Sequence, residues 1–453
     1  MDYEREFKVK RVIRLEQNYR SHGNILDAAN ALIANNRNRL GKNLWTDAGR
    51  GEPIRVFEGE SDADEARWIV EEVQALAREG TRLSSMAVLY RSNAQSRIVE
   101  HTLFSRGIAY RVYGGLRFFE RAEVKHALAY LRLVAMPDDD NAFLRVVNFP
   151  PRGIGARTVE TLQDSARQKG TSLFQAAEGK VAAFTALIGQ LKSETQGLPL
   201  PELVEHVVAK SGLIEHYKTE REGTDRIENL DQLVNAAATF TEEEREIESG
   251  EAADPLTAFL THAALEAGEH QAGEGQDALQ MMSVHSAKGL EFDVVFLTGL
   301  EEGLFPHEQS VTERDGLEEE RRLAYVAITR ARHRLYLSHA QTRMLHGQTR
   351  YNVPSRFLEE IPQNLMKWLT PRFSRQKAFT PDFSRQTRTQ PANRPMVKGV
   401  GGFRIGQNVM HAKFGAGVIV DAEGQGNDAR VQVNFGNHGV KWLAVSVAKL
   451  QAA

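Results

Sequence analysis

At 453 residues, with 41% hydrophobic and 26% charged side chains, the chain is too long for one ordinary core and too apolar for a disordered tract. A net charge of -3 supplies no global basic field, so any nucleic-acid contact must come from local patches. The absence of cysteine excludes disulfide frameworks and thiolate metal sites. No run approaches the roughly 18 apolar residues of a membrane span, and the first residues carry no apolar signal core, so the sequence reads as intracellular.

Ile25, Ala29, Leu32 and Ile33 recur at helical spacing and predict a helix that starts near Asn24. Just before it, LEQNYRS (15–21) places Arg20 at a helix start. Its planar five-donor fork there suits a phosphate, or an ordinary surface ion pair. MAVLY (86–90) is an apolar run consistent with a buried parallel strand, and it leads into the Arg91-Ser92-Asn93 turn. Val124, Leu128 and Leu131 return to helical spacing, and no convincing strand follows until about residue 279. Inside that block PRGIG (151–155), followed by Arg157 and Thr158, opens a helix. Arg152 with the amides of Gly153 and Gly155 suits a duplex phosphate, or is simply a helix-start turn. From Thr241 to Asp254 seven acids face one base, Arg245, which predicts a solvated loop.

Strand signals return at 281–284, 294–298 and 335–338. Between the first two lies a polar turn, residues 285–291. Gly289 allows close backbone approach there, while His285 and Lys288 can donate to phosphates. Polar loops at strand carboxyl ends are where α/β sheets hold ligands; a plain strand–turn–strand is the alternative. A helix with Leu323, Val326 and Ala327 on its apolar face runs straight into the third strand. Arg330 and Arg332 near its end either complement the helix dipole or place an arginine against a transferring phosphoryl group, where it stabilises charge. Residues 372–402 form a linker, basic through Arg372, Arg375, Lys377, Arg385, Arg388, Arg394 and Lys398 against Asp382. Short strands punctuated by glycine then predict a small antiparallel barrel over 403–453. The expected fold class is α/β: a parallel-sheet domain interrupted by an all-α insert, then the linker and the barrel.

The succession QNYRS (17–21), YGGLRFFERAEVK (113–125), VHSAKGLEF (284–292) and YVAITRA (325–331) resembles the UvrD/PcrA/Rep family of superfamily 1 DNA helicases, from about residue 10 to the end. The resemblance implies a RecA-like motor domain in two parts (1–113 and 276–371), a helical 2B insert (114–275), the linker and a Tudor-like barrel. It implies an ATP-hydrolysing 3′-to-5′ DNA translocase of repair and replication, with ATP and Mg2+ between two RecA-like domains. Arg20 is then similar to the family's γ-phosphate arginine, Glu291 to its nucleotide-site glutamate and Arg330 to its arginine finger. His285 and the turn with Arg91 and Asn93 resemble elements on single-stranded DNA. Expected partners are a single-stranded/duplex DNA junction, RNA polymerase through the barrel, and repair proteins, with no membrane. The expected setting is a bacterial cytoplasm, close to the nucleoid.

Two departures qualify the resemblance. Gly41-Lys42 is followed by Asn43 and Gly179-Lys180 by Val181, so neither forms a P-loop, and Asp64-Glu65 lies in a polar stretch, not at a strand end. The phosphate cradle and magnesium ligands are therefore expected on a first motor domain outside these residues, and the chain alone is expected to be inactive as an ATPase. His346 falls where the family often places an aromatic, at the tip of a strand-separating hairpin within 342–351; imidazole still stacks on a base, over less area. The competing expectation is a truncated, non-catalytic module that holds DNA or RNA polymerase. A nuclease is disfavoured, because no Asp/Glu/Lys cluster follows the motor.

Overall fold

The computed structural model describes residues 16–37, 43–221, 223–246, 254–268, 275–345, 348–370, 407–411, 415–423, 430–434, 440–445, 448 and 450–452. The chain divides into two compact units: Met1–Ser61, Gly299–Arg343 and Arg350–Ala453 in one, Asp62–Thr298 and Met344–Thr349 in the other.

In the first unit, Ile54–Ser61 is the central of three parallel strands, flanked by Ala331–Leu345 and Met366–Trp368. Its register sets Val56 opposite Leu337 and Ile54 opposite Met366, and Ile54, Val56, Leu335, Tyr336 and Leu337 are all buried. Helix Gly23–Ile33 buries Ile25, Leu26, Ala28, Ala29 and Leu32, the face that the spacing predicts. Helix Gly316–Ile328 packs against it. Its buried face is rotated from the expected one: Ala324, Ala327 and Ile328 are inside, while Leu323 and Val326 are only half-buried. Arg321 explains the rotation. Its fork is buried, bidentate on Glu360 at 2.7 and 2.8 Å, with Asn36 Oδ1 at 2.6 Å.

The second unit holds four parallel strands in the order Tyr110–Val112, Leu279–Ser283, Met86–Tyr90, Phe292–Leu297. Every residue of Met86–Tyr90 is buried, as expected of a strand covered on both faces. Helices run from Ala122–Ala135 to Pro255–Gly268 around one apolar core that includes Tyr130, Phe143, Phe184, Tyr217 and Phe259. Among the described residues no strand lies between Val112 and Leu279. The acidic run departs from expectation: helix Gly223–Glu246 includes its first acids, in keeping with the high helix propensity of glutamate. Residues 247–253 lie outside the described ones.

The terminal strands form an antiparallel sheet ordered Val440–Ala444, Arg430–Asn434, Gly415–Glu423, Asn408–His411, Gln451–Ala452. Its core is small: Val409, Ile419, Val431 and Val433, with Leu443, Val445 and Leu450 packed against them. The basic linker, 372–402, lies outside the described residues. Among those residues no helix is long and apolar enough to cross a membrane.

Candidate nucleotide and nucleic-acid sites

Arg20 and Arg330, 310 positions apart in the chain, meet in the first unit around Thr329. The Asn18 side chain shapes the turn that carries Arg20, accepting the backbone amides of Arg20 and Ser21 at 2.8 Å each. Ser21, fully buried, locks that turn to the strand start by donating to the Ala331 carbonyl at 2.6 Å; the His22 amide reaches the Arg332 carbonyl at 3.1 Å. The Arg20 Nη1 then lies 3.4 Å from the Thr329 carbonyl. Arg330 is 9% exposed; its Nε donates to the Val326 carbonyl at 3.0 Å and its Nη2 to the Thr329 hydroxyl at 3.2 Å. Arg330 thus satisfies the last turn of its helix, where a cation is favoured, in the same place where it stands beside Arg20. Two guanidinium groups on one helix–strand junction form a wall suited to a polyanion. Tyr19, 85% exposed, adds an aromatic ring next to Arg20, with its hydroxyl on Gln17 Oε1 at 2.8 Å. That ring was missed from the sequence, although an aromatic within a polar run was a visible signal. Glu291, exposed, belongs to the second unit, directly before strand Phe292–Leu297.

The single-strand candidates of the second unit sit on two turns at strand ends. Strand Met86–Tyr90 runs into a capping box. Gln95 Oε1 accepts the Arg91 and Ser92 amides at 3.0 and 2.8 Å, leaving Asn93 exposed at the tip. Strand Leu279–Ser283 runs into residues 284–289, where His285, Lys288 and Gly289 are exposed and Gly289 has φ +90°. The YGG turn supports this loop. Gly114, at φ +73°, passes so close that a Cβ would lie 2.8 Å from Ser286 Oγ, and the Tyr113 amide bonds the Met281 carbonyl at 2.7 Å.

A further organiser went unrecognised in the sequence. Arg121, buried, donates to the Asn93 carbonyl at 3.1 Å, Asn229 Oδ1 at 2.7 Å and Ser96 Oγ at 2.7 Å, and so fixes the 91–95 turn against helix Gly223–Glu246. Beside it Glu100 accepts from Ser96 Oγ at 2.5 Å and from the Phe118 amide at 3.0 Å. Burial pushes the Glu100 carboxyl above its ordinary range, against the pull of Arg121, Ser96 and that amide.

Arg152 is placed otherwise than a phosphate contact requires. Its guanidinium donates to the carbonyls of Val146, Pro150 and Ser211 at 3.2, 3.1 and 3.1 Å and to the Tyr130 hydroxyl at 2.5 Å. It also lies over the Tyr130 and Phe184 rings, 5.8 and 5.3 Å from their centroids. The fork that sequence reasoning aimed at a duplex therefore holds the turn together. Gly153, at φ +71°, and Gly155 have open space on their Cβ sides, so close backbone approach remains open to a ligand. His346 lies outside the described residues.

The UvrD-like helicase C-terminal domain matches residues 13–342, and the PcrA/UvrD tudor domain matches residues 405–451. The fold and these matches define the class: a UvrD-like helicase C-terminal domain followed by a PcrA/UvrD tudor domain. The chain belongs to the UvrD-like helicase family. DNA helicase II of Escherichia coli (strain K12) is 46% identical over 99% of this chain and 62% of its own length. ATP-dependent DNA helicase PcrA of Bacillus subtilis (strain 168) is 39% identical over 100% of this chain and 64% of its own. ATP-dependent DNA helicase UvrD1 of Mycobacterium bovis is 39% identical over 97% and 61%. The chain thus spans 61–64% of the length of these relatives.

Proposed function

We propose that these residues form the C-terminal portion of an ATP-dependent 3′-to-5′ DNA helicase of repair and replication. The motor domain comprises 1–113 and 276–371, with a helical insert over 114–275, a basic linker over 372–402 and a Tudor-like barrel over 403–453. Arg20 and Arg330 face the polyphosphate, Arg330 as the catalytic group on the transferred phosphoryl, and Glu291 is assigned as a nucleotide-site glutamate. Arg91, Asn93, His285 and Lys288 hold single-stranded DNA, while the amides of Gly153 and Gly155 approach the duplex. His346 stacks at the strand-separating tip.

ATP supplies a transferable phosphoryl group, and Mg2+ neutralises its charge. The residues on hand fit only part of that complex: two guanidinium groups stabilise developing charge, but the sequence holds no Gly-Lys-Ser/Thr cradle and no strand-end carboxylate pair. We therefore assign the main ATP and Mg2+ ligands to a domain outside these 453 residues, with no turnover by this chain alone. The observation that carries the reading is the meeting of Arg20 and Arg330 around Thr329. The test is DNA-stimulated ATP hydrolysis by the chain alone and with a second chain that supplies the cradle. Turnover only in the mixture, abolished by Arg330→Ala, is expected; turnover by the chain alone, abolished by the same change, overturns the assignment.

The second reading, a non-catalytic module binding DNA or RNA polymerase, has one observation in its favour: Trp442 is 43% exposed on the barrel, an aromatic side chain available to a protein partner such as RNA polymerase or a repair protein. A bacterial cytoplasmic, nucleoid-associated setting follows from either reading.

A further inference from the structure

Away from the candidate motor and DNA turns, two helices of the second unit bring together a buried set of donors. Helix Ser96–Ser105 carries Arg97 and His101, and helix Pro255–Gly268 carries His262 and Glu266; each pair is four positions apart and so shares one helix face. Glu266 Oε2 lies 3.3 Å from His101 Nδ1 and 3.3 Å from His262 Nε2. The three ligand atoms all lie within 4.8 Å of one another. Glu266 is 3% exposed and the His262 side chain 22%.

His101 Nδ1 hydrogen-bonds Glu266 Oε2 at 3.3 Å, but the cluster is not closed at His262. His262 Nε2 is buried and, among the described residues, makes no hydrogen bond, although the carboxylate oxygen is 3.3 Å away. For metal–ligand distances of ~2.0–2.2 Å, the edge of a tetrahedron is about 3.3–3.6 Å, so both nitrogen–oxygen separations are compatible with a shared cation. The other carboxylate oxygen, Oε1, lies 3.7 Å from Arg97 Nη1, an outer partner of the kind that orients a ligating carboxylate.

We propose that His101, His262 and Glu266 form a binding site for a zinc-class divalent cation, with solvent in the fourth position. Two imidazoles and one carboxylate select zinc-like ions over magnesium or calcium, which prefer all-oxygen shells. The bound ion clips the last helix of the helical block to the helix that follows strand Met86–Tyr90, a structural role independent of nucleotide and DNA.

The full chain, stripped with a chelator, is titrated with Co2+ and then Zn2+ while visible absorption and the unfolding temperature are followed. One Co2+ per chain, with the absorption of a tetrahedral site displaced by Zn2+, and a raised unfolding temperature are expected. His262→Ala, the change at the most exposed ligand, should leave the metal-free unfolding temperature close to that of the parent and remove the absorption; Glu266→Gln should remove the absorption as well. Absence of tetrahedral absorption, its persistence in His262→Ala, or an unfolding temperature indifferent to Zn2+ overturns the site and leaves an ion-pair cluster only.

Discussion

Two arginine-bearing turns that look alike in sequence meet opposite fates. Arg20 precedes a helix beside polar neighbours, and so does Arg152. In the parallel-sheet unit, strand and helix ends converge from distant parts of the chain, and Arg20 comes to rest against Thr329, next to a second guanidinium. In the helical block the turn curls on itself, and three carbonyls, a phenol and two rings enclose Arg152. A short motif states what a side chain can bind; only the surroundings decide which partners it meets.

The contrast can be broken experimentally. Arg152→Ala should destabilise the helical block by about 2–4 kcal/mol, since it strands a phenol and three carbonyls, visible as a lowered unfolding temperature. The dependence of DNA affinity on salt should stay unchanged, whereas a phosphate contact would reduce that slope by about 1. Gly114→Ala carries a smaller expected cost, about 1–2 kcal/mol, because φ +73° disfavours a side chain and the Cβ meets Ser286. Its DNA signature should exceed its stability signature: the 285–291 turn shifts, and single-stranded DNA binding weakens in a fluorescence titration. If affinity is unchanged, that turn does not hold DNA.

The smallest effect concerns pH. His126 stacks on Phe149 at 3.8 Å and has Nδ1 3.0 Å from the Tyr217 hydroxyl. Burial first, then the charges of Arg145, Arg226 and His216, hold its pKa down to about 4. The unfolded chain takes up this proton near pH 6.5, before the folded one does. Stability from this group is therefore complete above pH ~6.5 and falls as pH drops toward ~4. Urea midpoints at about pH 7.5 and about pH 5 should differ, and His126→Phe should narrow that difference.

Much of the fold was legible because its signals are local. The buried run 86–90 and the helical spacing of Ile25, Ala29 and Leu32 each declare themselves within a few residues. Strand Ile54–Ser61 did not, because Glu58 and Glu60 mask its apolar half, although its partners make it central to its sheet. The pairing of Arg20 with Arg330 was suggested by resemblance, yet the bond that joins their turns spans 309 positions, beyond any periodicity. Arg121 was hidden for the same reason: its partner Asn229 is 108 positions away. The acceptors of Arg152 were not legible because they come together only once the turn has closed.

Arg20 and Arg330 are proposed to serve one phosphoryl group. With the cradle supplied in trans, ATP turnover by Arg20→Ala, Arg330→Ala and the double variant forms a thermodynamic cycle. The account predicts that each single change lowers turnover by orders of magnitude and that the double variant loses little more than the worse single. Fully additive losses, or either single variant retaining the parent's rate, would contradict it.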